Sequence, residues 1–134
     1  MNPTGLTVKK YMSPAPQTIG REAPLATAKE IMAGLGIRHL PVIQGDKVVG
    51  VLSDRDIQVL EFLAKDHADA LRVDDAMTRD VYVVAPETPL QDVAAAMTAG
   101  KFGSAVVVEG GKVRGIFTTI DALRALAELL DRKA

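Results

Sequence analysis

The sequence predicts a mixed α/β (α+β) fold: two tandem copies of one β-α-β-β-α unit, packed on each other with pseudo-twofold symmetry. Three observations carry this expectation. First, the chain matches itself without a gap when shifted by 65 positions: Met12 falls on Met77, Pro24 on Pro89, Met32 on Met97, Gly50 on Gly115 and Asp56 on Asp121. Second, each copy alternates a helical apolar stripe with short apolar runs bounded by Gly-containing turns. Third, both copies end their hairpin in Gly-x-x-Ser/Thr-x-x-Asp, at Gly50 to Asp56 and at Gly115 to Asp121. A unit this small buries too little surface to stand well alone, so the copies are expected to pack together. The related clefts where they meet are natural places for small ligands.

The elements follow in order. Val8 to Met12 reads as a short helical turn stopped by Ser13-Pro14, and Ala15 to Ile19 as extended chain, because Pro14 and Pro16 disfavour helix around them. Pro24 opens a helix whose stripe is Leu25, Ala28, Ile31, Met32 and Leu35, ended by Gly34 and Gly36. His39 to Ile43 and Lys47 to Leu52 form a hairpin around Gln44-Gly45-Asp46, and Ser53 starts a helix through Ile57, Leu60 and Leu63. The second copy repeats this plan. It has an opening turn at Val73 to Met77, extended chain at Val81 to Ala85 and a helix from Pro89 to Ala99. Strands at Ser104 to Val108 and Val113 to Phe117 follow, then a last helix from Thr118. The copies span 8–64 and 73–130, and the polar stretch Lys65 to Arg72 reads as a linker.

Composition narrows the function. The formal net charge is −1 and no long Lys/Arg run appears, so neither nucleic acid nor an anionic membrane is an expected partner. The chain has no cysteine, which excludes disulfides, thiolate metal sites and a Cys nucleophile and suits a reducing cytoplasm. No apolar stretch approaches the roughly 20 residues of a membrane span, and no secretory h-region follows the N-terminus. Two histidines without a cluster of acids make no metal site, and no nucleophile with a partner stands beside His39. His67 lies in the polar linker and reads as solvated surface.

The repeated junction admits two readings. Ser/Thr-x-x-Asp before an apolar helix is a capping box with Asp in the acid position, worth about 1 kcal/mol to the helix start. The same groups also describe a nucleoside phosphate site. A helix N-terminus favours phosphate, and a carboxylate there can accept the two hydroxyls of a ribose.

From about Val8 to Leu130 the chain resembles a tandem pair of CBS domains, a Bateman module. The resemblance rests on Val8-Lys9-Lys10-Tyr11-Met12-Ser13-Pro14, on Ile37-Arg38-His39-Leu40-Pro41-Val42-Ile43 and on the two junctions, taken in their order and duplication. The second copy departs where Arg79-Asp80 replaces Pro14-Ala15 and Gly103-Ser104-Ala105-Val106 replaces Arg38-His39-Leu40-Pro41. The resemblance implies packing through the sheets and two clefts that draw on both copies. One would use Thr118, Thr119 and Asp121, faced by Ser13, Ala15, Pro16, Gln17, Arg38 and His39. The other would use Ser53, Arg55 and Asp56, faced by Thr78, Val81, Tyr82 and Ser104. Asp56 and Asp121 would hold ribose hydroxyls, the extended segments would meet an adenine, and Arg38, His39 or Arg55 would approach phosphate. Having both an Arg and a His, the Asp121 cleft is expected to bind more tightly than the Asp56 cleft, where Asp80 would repel an anion.

The resemblance therefore implies a regulatory sensor, without catalytic residues or a required cofactor. Its ligand would contain adenosine: AMP, ADP, ATP, S-adenosylmethionine or NAD. It would act as a homodimer on a regulated protein that the sequence does not name. An interaction module whose junctions only cap helices, and a small nucleotide-processing enzyme, are the alternatives.

Overall fold

A computed structural model describes residues 5–132. Val8–Tyr11 forms α1, Ser13–Pro14 β1 and Ile19–Gly20 β2, followed by α2 (Leu25–Leu35), β3 (His39–Gln44), β4 (Lys47–Ser53) and α3 (Asp54–Ala64). After a 3₁₀ turn at Lys65–Ala70, the second copy supplies α4 (Val73–Ala76), β5 (Val83–Val84), α5 (Leu90–Gly100), β6 (Ser104–Glu109), β7 (Lys112–Thr118) and α6 (Thr119–Asp131). The fold is the mixed α+β arrangement the duplicated pattern predicts. Pro24 and Pro89 sit as the N-caps of α2 and α5, one position outside the expected first turn. Gly36 closes α2 at φ 65°, a left-handed conformation that glycine adopts without the Cβ clash of other residues.

The chain divides into two compact units. One is Gln17–Val81, and the other joins the described residues up to Pro16 with those from Tyr82 onward. In the first, the sheet order is β2-β3-β4, with β2 parallel and β4 antiparallel to β3. Leu25, Ala28 and Met32 of α2 and Ile57 of α3 pack with Leu40, Val42 and Leu52 of the strands. In the second, the order is β1-β7-β6-β5. Its core gathers Val93, Met97 and Ala125 from helices with Val84, Ala105, Val107 and Phe117 from strands.

Each unit thus holds the body of one copy and the opening turn of the other. Val73 and Met77, from the second copy, belong to the core built on the first, whereas Val8 and Tyr11 belong to the core built on the second. The backbone does this in the same way twice. Val73 N–H donates to Ala23 and Leu25 N–H to Leu71, both at 2.9 Å; Val8 N–H donates to Thr88 at 2.9 Å and Leu90 N–H to Leu6 at 3.0 Å. The donors and acceptors correspond under the 65-residue shift. Val8 and Val73 are fully buried, so each opening turn is anchored by an apolar side chain as well as by main chain.

Two segments differ from the sequence expectation. The stretch read as a linker forms the 3₁₀ turn at Lys65–Ala70, entered through Lys65 at φ 50°. Ala15, expected to be extended, has φ 45°. Pairing of Ser13–Pro14 with β7 and an Ala15 N–H bond to Arg114 at 2.9 Å hold it there.

Candidate functional site

The two strand-to-helix junctions are capping boxes. At the first, Ser53 Oγ accepts from Asp56 N–H at 3.0 Å and Ser53 N–H donates to Asp56 Oδ2 at 3.1 Å. At the second, Thr118 Oγ1 accepts from Asp121 N–H at 3.3 Å and Thr118 N–H donates to Asp121 Oδ2 at 2.9 Å. Each box thereby satisfies helix-end N–H groups that lack intrahelical partners.

The opening segment of the other copy adds a hydroxyl to each acid. Thr78 Oγ1 donates to Asp56 Oδ2 at 3.3 Å. Main-chain bonds with Val51, at 2.9 and 3.0 Å, keep Thr78 beside β4. In the corresponding place Ser13 Oγ donates to Asp121 Oδ1 at 3.0 Å, and β1 holds Ser13 opposite Ile116. The structure therefore brings Ser53, Asp56 and Thr78 together in one unit and Ser13, Thr118 and Asp121 together in the other. Arg55 is exposed at the head of α3. Thr119 N–H and Oγ1 both donate to the Gly103 carbonyl, at 3.3 and 3.4 Å.

The remaining residues are distributed as follows. Ala15 and Pro16 share a unit with Asp121, while Gln17, Arg38 and His39 belong to the unit of Asp56. Gln17 Nε2 donates to the neighbouring Thr18 carbonyl at 3.1 Å. His39 starts β3 opposite Ser53. Arg38, whose carbonyl accepts from Asp54 N–H at 3.0 Å, lines a cavity of about 560 Å³ with Lys29, Asp54 and Glu61 above Met32 and Ile57. Val81 closes the Gln17–Val81 unit; Tyr82 and Ser104 lie on the other. Ser104 is buried at the start of β6. Tyr82 stacks on Phe102 with ring centroids 5.4 Å apart. Burial, aided by the Asp92 carboxylate, pushes its phenol above the ordinary value of 10.0.

The two acids differ in ways the motif does not reveal. Asp121 is 2% exposed. A carboxylate offers roughly four acceptor sites, and Asp121 fills them from within its unit. Oδ2 takes Thr118 N–H and Thr118 Oγ1, and Oδ1 takes Ser13 Oγ and Arg124 Nη1, the last at 3.0 Å. Asp56 is half-buried, with both of its bonds on Oδ2. Oδ1 of Asp56 accepts no hydrogen bond among the described residues. Sequence reasoning overlooked Arg124, although the signal was present: Arg124 stands three residues beyond Asp121, where the first copy has Val59 three beyond Asp56.

An ion-pair cluster braces the first unit. Arg21 donates to Asp74 Oδ1 through Nη2 at 2.7 Å and Nε at 3.1 Å, and Arg79 Nη2 donates to the same oxygen at 3.0 Å. The bonded Arg21 guanidinium, with Arg79 beside it, holds the Asp74 carboxyl below its ordinary value of 3.8. Lys9 occupies the equivalent position in the other copy, so this brace has no counterpart there. Among the described residues, no group of His, Asp and Glu could hold a metal ion, and no helix is long and apolar enough to cross a membrane.

The duplicated unit, its exchanged opening turns and its paired hydroxyl–acid helix starts define a tandem-repeat α+β module. Residues 8–59 and 73–128 each match the CBS domain family, and the chain belongs to that family as a tandem pair. Among solved structures, AcuB from Vibrio cholerae superposes with a TM-score of 0.83 at 30% identity, covering 96% of this chain and 95% of the other. CBSX2 in complex with AMP superposes with a TM-score of 0.79 at 32% identity, covering 93% and 98%. In sequence, the chain is 34% identical over 105 residues to an inosine-5'-monophosphate dehydrogenase of Korarchaeum cryptofilum, spanning 78% of this chain and 21% of that enzyme. It is 31% identical over 130 residues to an A-adding tRNA nucleotidyltransferase of Aquifex aeolicus, spanning 95% of this chain and 15% of that enzyme. The chain thus covers about a fifth or less of these two enzymes, and the family match accounts for most of its own length.

Proposed function

We propose that this protein is a regulatory module that binds an adenosine-containing ligand (AMP, ADP, ATP, S-adenosylmethionine or NAD) and performs no chemistry on it. One observation carries the reading: Asp56 sits at the head of α3 with Oδ2 anchored by Ser53 and Thr78, leaving Oδ1 open to a pair of sugar hydroxyls. The likeness to a CBS protein in complex with AMP supports the choice of an adenylate. Arg55 is the cation proposed for phosphate beside Asp56, and Thr78 and Val81 supply adjoining wall. Asp121, with Ser13, Ala15, Pro16 and Thr118, is the second proposed position. Ligand would favour one arrangement of the protein, and a regulated partner in a reducing cytoplasm would read the change.

Thermal melts with and without each of the five ligands test this, because a ligand that binds only the folded state raises Tm by mass action. A rise of several degrees with at least one adenosyl compound, lost in Asp56→Ala, is the expected result. No shift with any of them would favour a module that only binds other proteins. Nucleotide breakdown on long incubation with ATP would favour an enzyme.

The helix surfaces favour a homodimer as part of this reading. α6 buries Ala125 and Asp121, yet Ile120, Leu123, Leu126 and Leu130 are each more than half exposed. On α3, Val59, Phe62 and Leu63 are likewise exposed, Phe62 at 77%. These helices carry apolar surface well beyond the stripe that one core needs. Size-exclusion chromatography with light scattering, on the wild type and on Leu123→Glu, tests for a dimer that the substitution dissociates.

A further inference from the structure

The two acids of the repeated motif occupy equivalent positions but not equivalent states, and one residue supplies the charged part of the difference. Arg124 Nη1 lies 3.0 Å from Asp121 Oδ1, while its own side chain is 66% exposed. With Ser13 on the same oxygen and Thr118 on the other, the Asp121 carboxylate has no acceptor site left for a sugar diol. In the first copy the residue at the Arg124 position is Val59, which has no donor, and Thr78 takes the place of Ser13 but bonds the oxygen already used by Ser53. Among the described residues, nothing donates to Asp56 Oδ1, so both of its acceptor sites face a ligand without a competitor there.

We propose that Arg124 is an internal occupant of the Asp121 position, so that the Asp56 position takes an adenylate first and Asp121 stays latent until that guanidinium leaves. The proposal rests on the reading that these acids bind the ribose of a nucleotide, and it reverses the order of affinity that the cations Arg38 and His39 favour from sequence. A diol arriving at Asp121 must displace a charge-assisted bond, whereas at Asp56 it displaces only water. The guanidinium is on the surface, so it can swing out without unfolding α6. An anionic group able to draw Arg124 away would open the second position, which makes the residue a determinant of how many ligands the chain holds.

Isothermal titration with AMP on the intact protein tests this. Wild type is expected to bind one AMP per chain and Arg124→Val two, with the new site at least about tenfold tighter than any residual second binding in wild type. Val59→Arg places a guanidinium three residues beyond Asp56 at an exposed position, and it is expected to weaken the wild-type site by about tenfold. Two equal sites in wild type would overturn the proposal and leave the nucleotide reading intact. So would a stoichiometry unchanged by Arg124→Val, or an affinity unchanged by Val59→Arg. No heat with AMP or with any of the other four ligands, from wild type and Arg124→Val alike, together with no thermal shift, would overturn the nucleotide reading and, with it, this one.

Discussion

Met77 lies against Gly50 so closely that a Cβ on residue 50 would stand 2.7 Å from its sulfur and 2.9 Å from the Thr78 carbonyl oxygen. Met12 fills the same place against Gly115 in the other unit. The approaching atoms belong to the opening segment of the other copy, which carries the hydroxyl that reaches the acid.

Gly50→Ala is accordingly expected to destabilise the fold by about 1–3 kcal/mol, since the methionine can shift but the carbonyl cannot. Gly34, inside α2 with nothing within 4 Å of a would-be Cβ, supplies the control. Gly34→Ala is expected to stabilise by about 0.5–1 kcal/mol through helix propensity. Urea unfolding followed by circular dichroism separates the two.

Removing the acids is expected to affect stability unequally. Asp121→Ala deletes a buried capping partner and leaves Ser13 and Thr118 without their acceptor, at a cost of about 2 kcal/mol. Asp56→Ala deletes a half-exposed one, at about 1 kcal/mol. Equal shifts in urea midpoint would mean that burial at Asp121 contributes nothing beyond the cap.

Acid is expected to release the brace on α4. Because Arg21 and Arg79 depress the Asp74 carboxyl, its contribution is fully present above the ordinary value of 3.8 and is lost as pH falls through the lower native value. The Tm difference between wild type and Asp74→Ala should therefore be constant from neutrality down to about 3.8, and shrink towards zero as pH falls from there through the lower native value. A difference that persists at the acid limit would assign the effect to packing.

Ala15→Gly is expected to raise stability by up to about 1 kcal/mol, because φ 45° penalises any residue with a Cβ. Ala15→Val is expected to lower it. Melting temperatures of the three forms report the order directly.

Much of the fold was legible because it is local. The Leu25–Ala28–Met32 stripe, the Gly45 and Gly110 turns and the two capping boxes are written in short windows, and each lies where periodicity and turn chemistry put it. The exchange of opening turns is not local. Nothing in Val8 or Val73 states which sheet will cover it, since both are apolar and both copies offer the same backbone partners. At the site, the hydroxyl–acid pairs could be read from the motif. Saturation of Asp121 could not, because it depends on Arg124, a residue outside the shared pattern. The 3₁₀ turn at Lys65–Ala70 was hidden by polarity, which marks exposure but does not exclude hydrogen-bonded turns.

The exchange also gives the two halves a timetable. On a ribosome, everything needed by the unit ending at Val81 has been made once that residue emerges, whereas the segment before Pro16 must wait for a sheet that is not complete until Thr118. The opening segment of the first copy is therefore among the last of these elements to find its place, and Val8 and Tyr11 remain uncovered until β7 has been made.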